Sequence, residues 1–126
     1  MWRTILLAVL AAGCGNALTV PTAKFFSGQP VAHWLGELRS TSPKARRHAA
    51  DVLGNVGPTD PAALPALAAA LADPDAGVRA AAVLGLSKNG PAAADALPAV
   101  RRVLATDPSP LVRRYAQIAV EQIGGG

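Results

Sequence analysis

The chain repeats one short segment three times, and this periodicity constrains the fold more than any other feature of the sequence. The copies span residues 45–57, 78–90 and 112–124, at intervals of 33 and then 34 residues. Matching positions hold an arginine, an alanine, an apolar residue and a closing glycine: Arg46, Arg79 and Arg113; Ala49, Ala82 and Ala116; Leu53, Leu86 and Val120; Gly57, Gly90 and Gly124. One such unit is too small to bury its own apolar face, so stacked units must share a continuous core.

Each unit has the pattern of two helices joined by a short turn. Upstream of each copy, apolar residues recur at i, i+3 and i+7, which is the spacing of one helical face. A residue that precedes proline is pushed out of the helical region, and the three turns read Ser42-Pro43, Asp73-Pro74 and Asp107-Pro108. Apolar residues make up 51% of the chain and aromatic residues only 4%, which favours closely packed helices. The sequence therefore predicts an all-α fold, an α-solenoid of about three helix-turn-helix repeats at 30–57, 61–90 and 94–124, with a frayed tail at 125–126.

Two polar residues interrupt the repeat. Asn89 takes an apolar position, so we expect the second helix of that unit to end at Lys88 or to be capped by the asparagine, with a locally weaker terminus. Gln117 occupies the position that Ala50 and Val83 hold in the earlier units. A polar residue there suits a terminal unit, which predicts that three units form the whole array.

The repeat resembles a known family. The pattern Asp-Pro-x-x-x-Val-Arg-x-x-Ala, plainest at 73–82, and the closing Leu-Gly-x-x-Gly variants resemble HEAT repeats. More specifically, the pattern resembles the short bacterial form also called phycobilin-lyase HEAT-like repeats. The resemblance implies an α-solenoid that binds partners, with its second helices lining a concave face, and it implies no single activity.

The resemblance also implies an ion-pair ladder, in which the repeated arginine binds the aspartate of the inter-helix turn. Carried onto this sequence, Arg79 pairs with Asp73 or Asp75, and Arg113 pairs with Asp107. Arg46 lacks an acidic partner on this interpretation, because Ser42 stands in its turn.

The N-terminus has the pattern of an export signal. A single basic residue precedes the apolar run 5–12, and small residues lead to Cys14, as in secretory signals. The run is far shorter than the ~20 residues that span a bilayer. Residues 1–14 resemble a bacterial lipoprotein signal, which implies lipid at Cys14 and a lipid-anchored protein of the cell envelope, although Ala11 stands where that signal usually has leucine. Ordinary cleavage after Ala17, giving a secreted or periplasmic protein, and an uncleaved apolar tail are the alternatives.

Residues 15–29 are mostly small, polar or proline, are interrupted by Phe25 and Phe26, and show no helical period. They predict a tether, with Phe25 and Phe26 packing on the edge of the first helix pair.

Charge and composition argue against several function classes. The net charge is +4, from 12 basic and 8 acidic residues, but the arginine pairs lie on different helices among aspartates and lack an aromatic stacking set. We therefore expect no nucleic-acid partner. One cysteine and two histidines predict no metal site, and no motif indicates a cofactor or catalysis. Trp34 is interpreted as a core residue.

A partner protein is the strongest expectation. The exposed positions of the second helices include Arg47, His48, Leu84, Arg114, Tyr115 and Ile118. Tyrosine and arginine are enriched at binding hot spots, whereas Leu84 and Ile118 could instead pack between units. The sequence therefore predicts a non-catalytic scaffold or adaptor that binds another protein through the concave face. The second hypothesis is an accessory subunit or chaperone of a bilin-lyase-like enzyme.

Overall fold

Six α-helices follow a short β-hairpin in the computed structural model, which describes residues 24–125. The strands are β1 (Phe25–Phe26) and β2 (Gln29–Pro30), paired antiparallel. The helices are α1 (Val31–Glu37), α2 (Pro43–Val56), α3 (Ala63–Ala70), α4 (Ala76–Lys88), α5 (Leu97–Thr106) and α6 (Pro110–Gly124). Two 3-10 segments, Gly57–Thr59 and Gly90–Ala96, join successive helix pairs.

The helices form three consecutive hairpins: α1 with α2, α3 with α4, and α5 with α6. The second helices also pack side by side, α2 against α4 and α4 against α6. These inter-hairpin contacts stack the units into one array with a shared core. The predicted all-α solenoid of about three repeats is therefore confirmed.

The second helices begin where the sequence places its turns. Ser42, Asp75 and Ser109 are the N-caps, and each side-chain oxygen accepts a hydrogen bond from the backbone N–H three residues later, at 3.1 to 3.4 Å. Pro43 and Pro110 occupy the first helical position, where the missing N–H costs nothing. Since an N-cap contributes about 1 kcal/mol, each turn itself fixes the start of its helix.

The hairpin before α1 corrects the predicted tether. Its turn residues Ser27 and Gly28 have φ values of 52° and 78°, and the Phe26 carbonyl accepts a hydrogen bond from Trp34 Nε1 at 2.9 Å. Phe26 packs against the core, as predicted, while Phe25 is 63% exposed. Residues 25–29 therefore belong to the first unit, because backbone pairing and the indole N–H hold them there. The predicted signal, Cys14 and residues 15–23 of the predicted tether lie outside the described residues, as does Gly126.

Asn89 ties two units together. Helix α4 ends at Lys88, as predicted, and Asn89 Nδ2 donates to the carbonyl oxygens of Gly85 (2.7 Å) and Gly54 (2.9 Å). The Gly54 carbonyl needs this donor because the residue four positions on is Pro58, which has no N–H. The asparagine thus links the ends of α2 and α4, and these two hydrogen bonds argue against the expected weak terminus.

We expect Asn89→Asp to lower the free energy of unfolding by about 2 kcal/mol, because a carboxylate cannot donate to the two carbonyls. Urea unfolding followed by circular dichroism would measure the change. The matched control is Asn55→Asp on the exposed side of α2, which should stay within about 0.5 kcal/mol of the parent. Equal effects of the two substitutions would contradict this role of Asn89.

Candidate functional site

The second helices together form one face of the array, and a depression of about 170 Å³ opens on it. We call this depression the second-helix groove. It is lined by Arg47 and Asp51 of α2, by Ala76, Gly77, Ala80, Ala81 and Leu84 of α4, and by Ser109, Leu111 and Tyr115 at α6. All three units therefore contribute to a single surface feature.

Small residues make the floor of the groove and large apolar residues stand beside it. Ala80 and Ala81 are buried, whereas Leu84 is 37% exposed and Leu111 52% exposed. Tyr115 is half-buried against the core. Alanines at the floor leave room above them, and the side chains of Leu84, Leu111 and Tyr115 border that room.

An apolar strip continues along α6 beyond the groove. Leu111, Tyr115 and Ile118 follow one another at intervals of four and three residues, which places them on one side of the helix. Ile118 is 42% exposed. Leu84 and Ile118 are thus both exposed, so neither is fully packed between units. We call Leu84, Leu111, Tyr115 and Ile118 the apolar strip.

The end of the groove at α2 is charged. Arg47 and Asp51 lie one helical turn apart, and the Arg47 side chain extends to α4 beside Gly77. A Cβ atom added at Gly77 would lie 3.8 Å from Arg47 Cδ and 3.9 Å from Nη1. The groove therefore runs from a charged end at α2 to an apolar end at α6.

The structure brings together some of the residues predicted to bind a partner and separates others. Arg47, Leu84 and Tyr115 line the groove, and Arg114 is exposed on α6 outside it. His48 points elsewhere, because its ring packs edge-on against Trp34 at a centroid distance of 5.1 Å. Trp34 itself is buried, at 7% exposure.

Sequence reasoning missed Leu111 as a groove residue. Its signal is present in the sequence, since Leu111 lies four residues before Tyr115 and completes the same helical stripe.

The arginine ladder crosses from each unit to the next. Arg46 donates to the Asp73 carboxylate through Nε (2.9 Å) and Nη2 (3.2 Å), and Arg79 donates to Asp107 through the same atoms at 2.8 and 3.1 Å. These bidentate pairs join neighbouring units and are largely shielded from water, with the four side chains between 5% and 13% exposed. The ladder thus fixes the spacing of the stack.

These contacts correct the predicted pairing. Arg46 does have an acidic partner, Asp73, although its own turn lacks one. Asp75 is the N-cap of α4 and accepts no arginine hydrogen bond within residues 24–125. Arg113 donates to the Asp107 backbone carbonyl, not to its carboxylate. The physical reason is that each arginine bonds its own turn only through Nη1, and the Nε edges of Arg46 and Arg79 face the following unit.

The ladder shifts the ionisation of its most buried pair. Burial by itself would raise the pKa of Asp107, but hydrogen bonds from Arg79 and from the Ser109 N–H, with the Arg79 and Arg113 charges, lower that pKa below its ordinary value. The hydrogen bond to Asp107 raises the pKa of Arg79 against the opposing effect of burial. Both groups are therefore held charged.

A second depression, of about 450 Å³, lies at the edge of the array where the units connect. Pro58, Pro61 and Pro65 line it together with Leu64, and the carboxylates of Asp60 and Asp95 are also in its wall. It contains neither an aromatic side chain nor an arginine, so its lining lacks the residue types typical of binding hot spots.

Residues 24–125 contain neither a cluster of metal-ligating side chains nor a membrane-spanning helix. No group of three or more His, Cys, Asp or Glu side chains is placed to hold a metal ion. None of the helices in this part of the chain is long and apolar enough to cross a membrane.

Comparison with known proteins places the repeats in a family. No curated protein matches the chain as a relative. The family profile described as HEAT repeats matches residues 31–121, which extends from the first residue of α1 nearly to the end of α6. The stacked helical hairpins and this match agree, and the chain belongs to the HEAT repeat family.

Proposed function

We propose that the protein is a non-catalytic adaptor that binds another protein through the second-helix groove and the apolar strip. HEAT repeats generally mediate protein–protein interaction. The observation that carries the proposal is the apolar strip itself, four large side chains set beside a groove on the face of the second helices. Large apolar side chains grouped on a surface typically mark an interaction site.

The dimensions of the groove favour a protein over a small molecule. Ligand pockets for small molecules usually enclose about 300–1,000 Å³, whereas this groove encloses about 170 Å³. Such a volume suits one or two side chains of a partner. The apolar strip and Arg47 would supply the surrounding contacts, with Tyr115 as the amphipathic anchor.

The double substitution Leu84→Asp with Ile118→Asp tests this surface. We expect affinity for the partner recovered by pulldown from the native cells to fall about tenfold or more, since two carboxylates would be buried against apolar atoms. The matched control is Ala105→Asp, an exposed position on α5. An unchanged partner set in the double variant would contradict the proposal, provided that its thermal unfolding still matches the control.

We also propose that the protein is exported and held at a membrane of the cell envelope by lipid on Cys14. The support is the sequence of residues 1–14, with one basic residue, a short apolar run and small residues before the cysteine. Acyl chains anchor a protein through burial of about 0.8 kcal/mol per CH₂ group.

Fractionation of cells that express the parent chain and Cys14→Ser tests the anchor. We expect the parent in the membrane fraction after a high-salt wash and the variant in the soluble fraction, because serine cannot form the thioether to lipid. The same distribution for both proteins would contradict lipid attachment at Cys14.

A further inference from the structure

The arginine ladder has a third member, Arg113, whose side chain pairs with no carboxylate in the part of the chain that the structure describes. In Arg46 and Arg79, Nη1 donates to a backbone carbonyl of the arginine's own turn, Ser40 at 2.8 Å and Asp73 at 2.9 Å. This anchor leaves Nε and Nη2 directed at the aspartate of the next unit. The same geometry occurs twice, so it is a property of the repeat.

Arg113 has the same anchor without the aspartate. Its Nη1 donates to the Asp107 carbonyl, yet no carboxylate within residues 24–125 pairs with its side chain. Its Nη1 anchor is thus the same as that of Arg46 and Arg79 in the two filled sites. A bidentate arginine–carboxylate pair is among the strongest hydrogen-bonded contacts in proteins. We propose that Arg113 is a preset receptor for an acidic segment of a partner protein, at the C-terminal end of the array.

A further unit of the same kind does not fit this end. The two α6 positions that correspond to the inter-unit contacts of α2 and α4 carry Gln117 and Glu121, which are exposed and hydrogen-bonded to each other at 3.0 Å. The corresponding residues in α2 are Ala50 and Gly54, both buried. Packing another helix as closely here would bury a charged glutamate, which is costly.

A second copy of the chain does not fit either. In the first unit Ser40 replaces Asp73 and Asp107, and its hydroxyl accepts the hydrogen bond from the Ser42 N–H at 3.1 Å that an aspartate accepts in the other turns. Head-to-tail stacking of two copies would therefore place a hydroxyl, not a carboxylate, opposite Arg113. The occupant that matches the site is an acidic segment of a different protein, with the exposed Arg114 adding a second positive charge.

The chain itself supplies a probe. A capped hexapeptide with the sequence of residues 72–77, Ala-Asp-Pro-Asp-Ala-Gly, carries the turn whose first aspartate fills the Arg46 site. We would titrate it into the ¹⁵N-labelled full chain at low salt and follow the arginine Nε–H signals by NMR. The Arg113 signal, assigned by its loss in Arg113→Gln, should move saturably at millimolar peptide. The signals of Arg46 and Arg79 should stay in place because their sites are filled.

Two controls make the outcome decisive. Arg113→Gln should weaken peptide binding about fivefold or more, whereas Arg101→Gln, which removes an exposed arginine on α5, should change it less than twofold. The peptide with asparagine in place of both aspartates should not bind. The proposal is overturned if the Arg113 signal moves no more than that of Arg101, or if both substitutions weaken binding equally. The Leu84→Asp, Ile118→Asp variant should bind the peptide normally, so this test is independent of the second-helix groove.

Discussion

Replacing Gly54 by valine is expected to lower the free energy of unfolding by about 3 kcal/mol or more. A Cβ atom at Gly54 would lie 2.7 Å from the Gly85 Cα atom and 3.6 Å from its carbonyl carbon. Both neighbours are backbone atoms of α4, so no side-chain rotation can relieve the overlap. Helices α2 and α4 would have to separate, which opens the core between the first two units.

Thermal unfolding followed by circular dichroism measures this effect, and we expect the Gly54→Val midpoint to fall by roughly 15 °C. The matched control is Gly36→Ala in α1, where an added Cβ would meet no atom within 4 Å. That substitution should stabilise the chain by about 0.5 kcal/mol through helix propensity. A Gly54→Val protein as stable as the parent would show that α2 and α4 do not meet at these glycines.

Replacing Asp107 by alanine is expected to cost about 3 kcal/mol, because it leaves the shielded Arg79 guanidinium without its carboxylate. The substitution removes three hydrogen bonds at once: two from Arg79, at 2.8 and 3.1 Å, and one from the Ser109 N–H at 2.9 Å. Arg79 would keep only its bonds to the carbonyls of Asp73 and Pro74. Chemical denaturation measures the loss, and Asp95→Ala, at an exposed position, is the control that should change stability by less than about 0.5 kcal/mol.

The same pair predicts a pH dependence. The pKa of Asp107 is lower in the folded chain than its ordinary value of 3.8, so its ionised form is favoured by folding. This contribution is present above pH 3.8 and is lost as the pH falls through the folded-state pKa. The stability gap between the parent and Asp107→Ala should therefore be constant near neutral pH and shrink below about pH 4. A gap that persists unchanged in acid would contradict the ion pair.

A double substitution separates the interaction energy of the Arg79–Asp107 ion pair from the packing contributions of the two side chains. Arg79→Met removes the positive charge that Asp107→Ala would leave unpaired and largely shielded from water. We therefore expect the double variant to be more stable than the sum of the two single losses implies, which is the signature of direct contact. Additive losses would show that the two side chains act independently.

The helical hairpins could be predicted from the sequence because their signals are local. Each turn carries its own cap and proline, such as Ser42 before Pro43, and each helix carries its apolar spacing over one or two turns. The repetition of a unit too small to bury its own apolar face then predicted that the hairpins stack. These local patterns are the same whatever the orientation of one unit relative to the next.

The contacts between units could not be predicted for that reason. Arg46 and Asp73 are 27 residues apart, and Asn89 bonds a carbonyl 35 residues earlier. The turn that an arginine reaches depends on how one unit is oriented on the next. The aligned repeats offer Arg79 an aspartate both in its own turn and in the following turn, so the sequence does not decide between them. The Gly54 carbonyl lacks a helical donor because of Pro58, and only the folded chain shows that Asn89 lies beside it.

The candidate site was predicted in part, for a geometric reason. Exposed positions of the second helices follow from helical periodicity, and this identified Arg47, Leu84 and Tyr115. Periodicity did not show which neighbours the side chains at the border of each exposed face contact. His48 is directed to Trp34 in the first hairpin, while Leu111 at the start of α6 joins the groove.

Site-specific photo-crosslinking tests the central claim, that the apolar strip is the surface that binds a partner protein. A benzophenone side chain would be introduced at Ile118, and in a matched protein at the exposed Ala105 on α5, followed by irradiation of intact native cells and mass spectrometry. We predict one protein crosslinked from position 118 and not from position 105, with the crosslink lost when Leu84→Asp is added. Identical crosslinking from both positions, or a crosslink at 118 that survives Leu84→Asp, would contradict the claim.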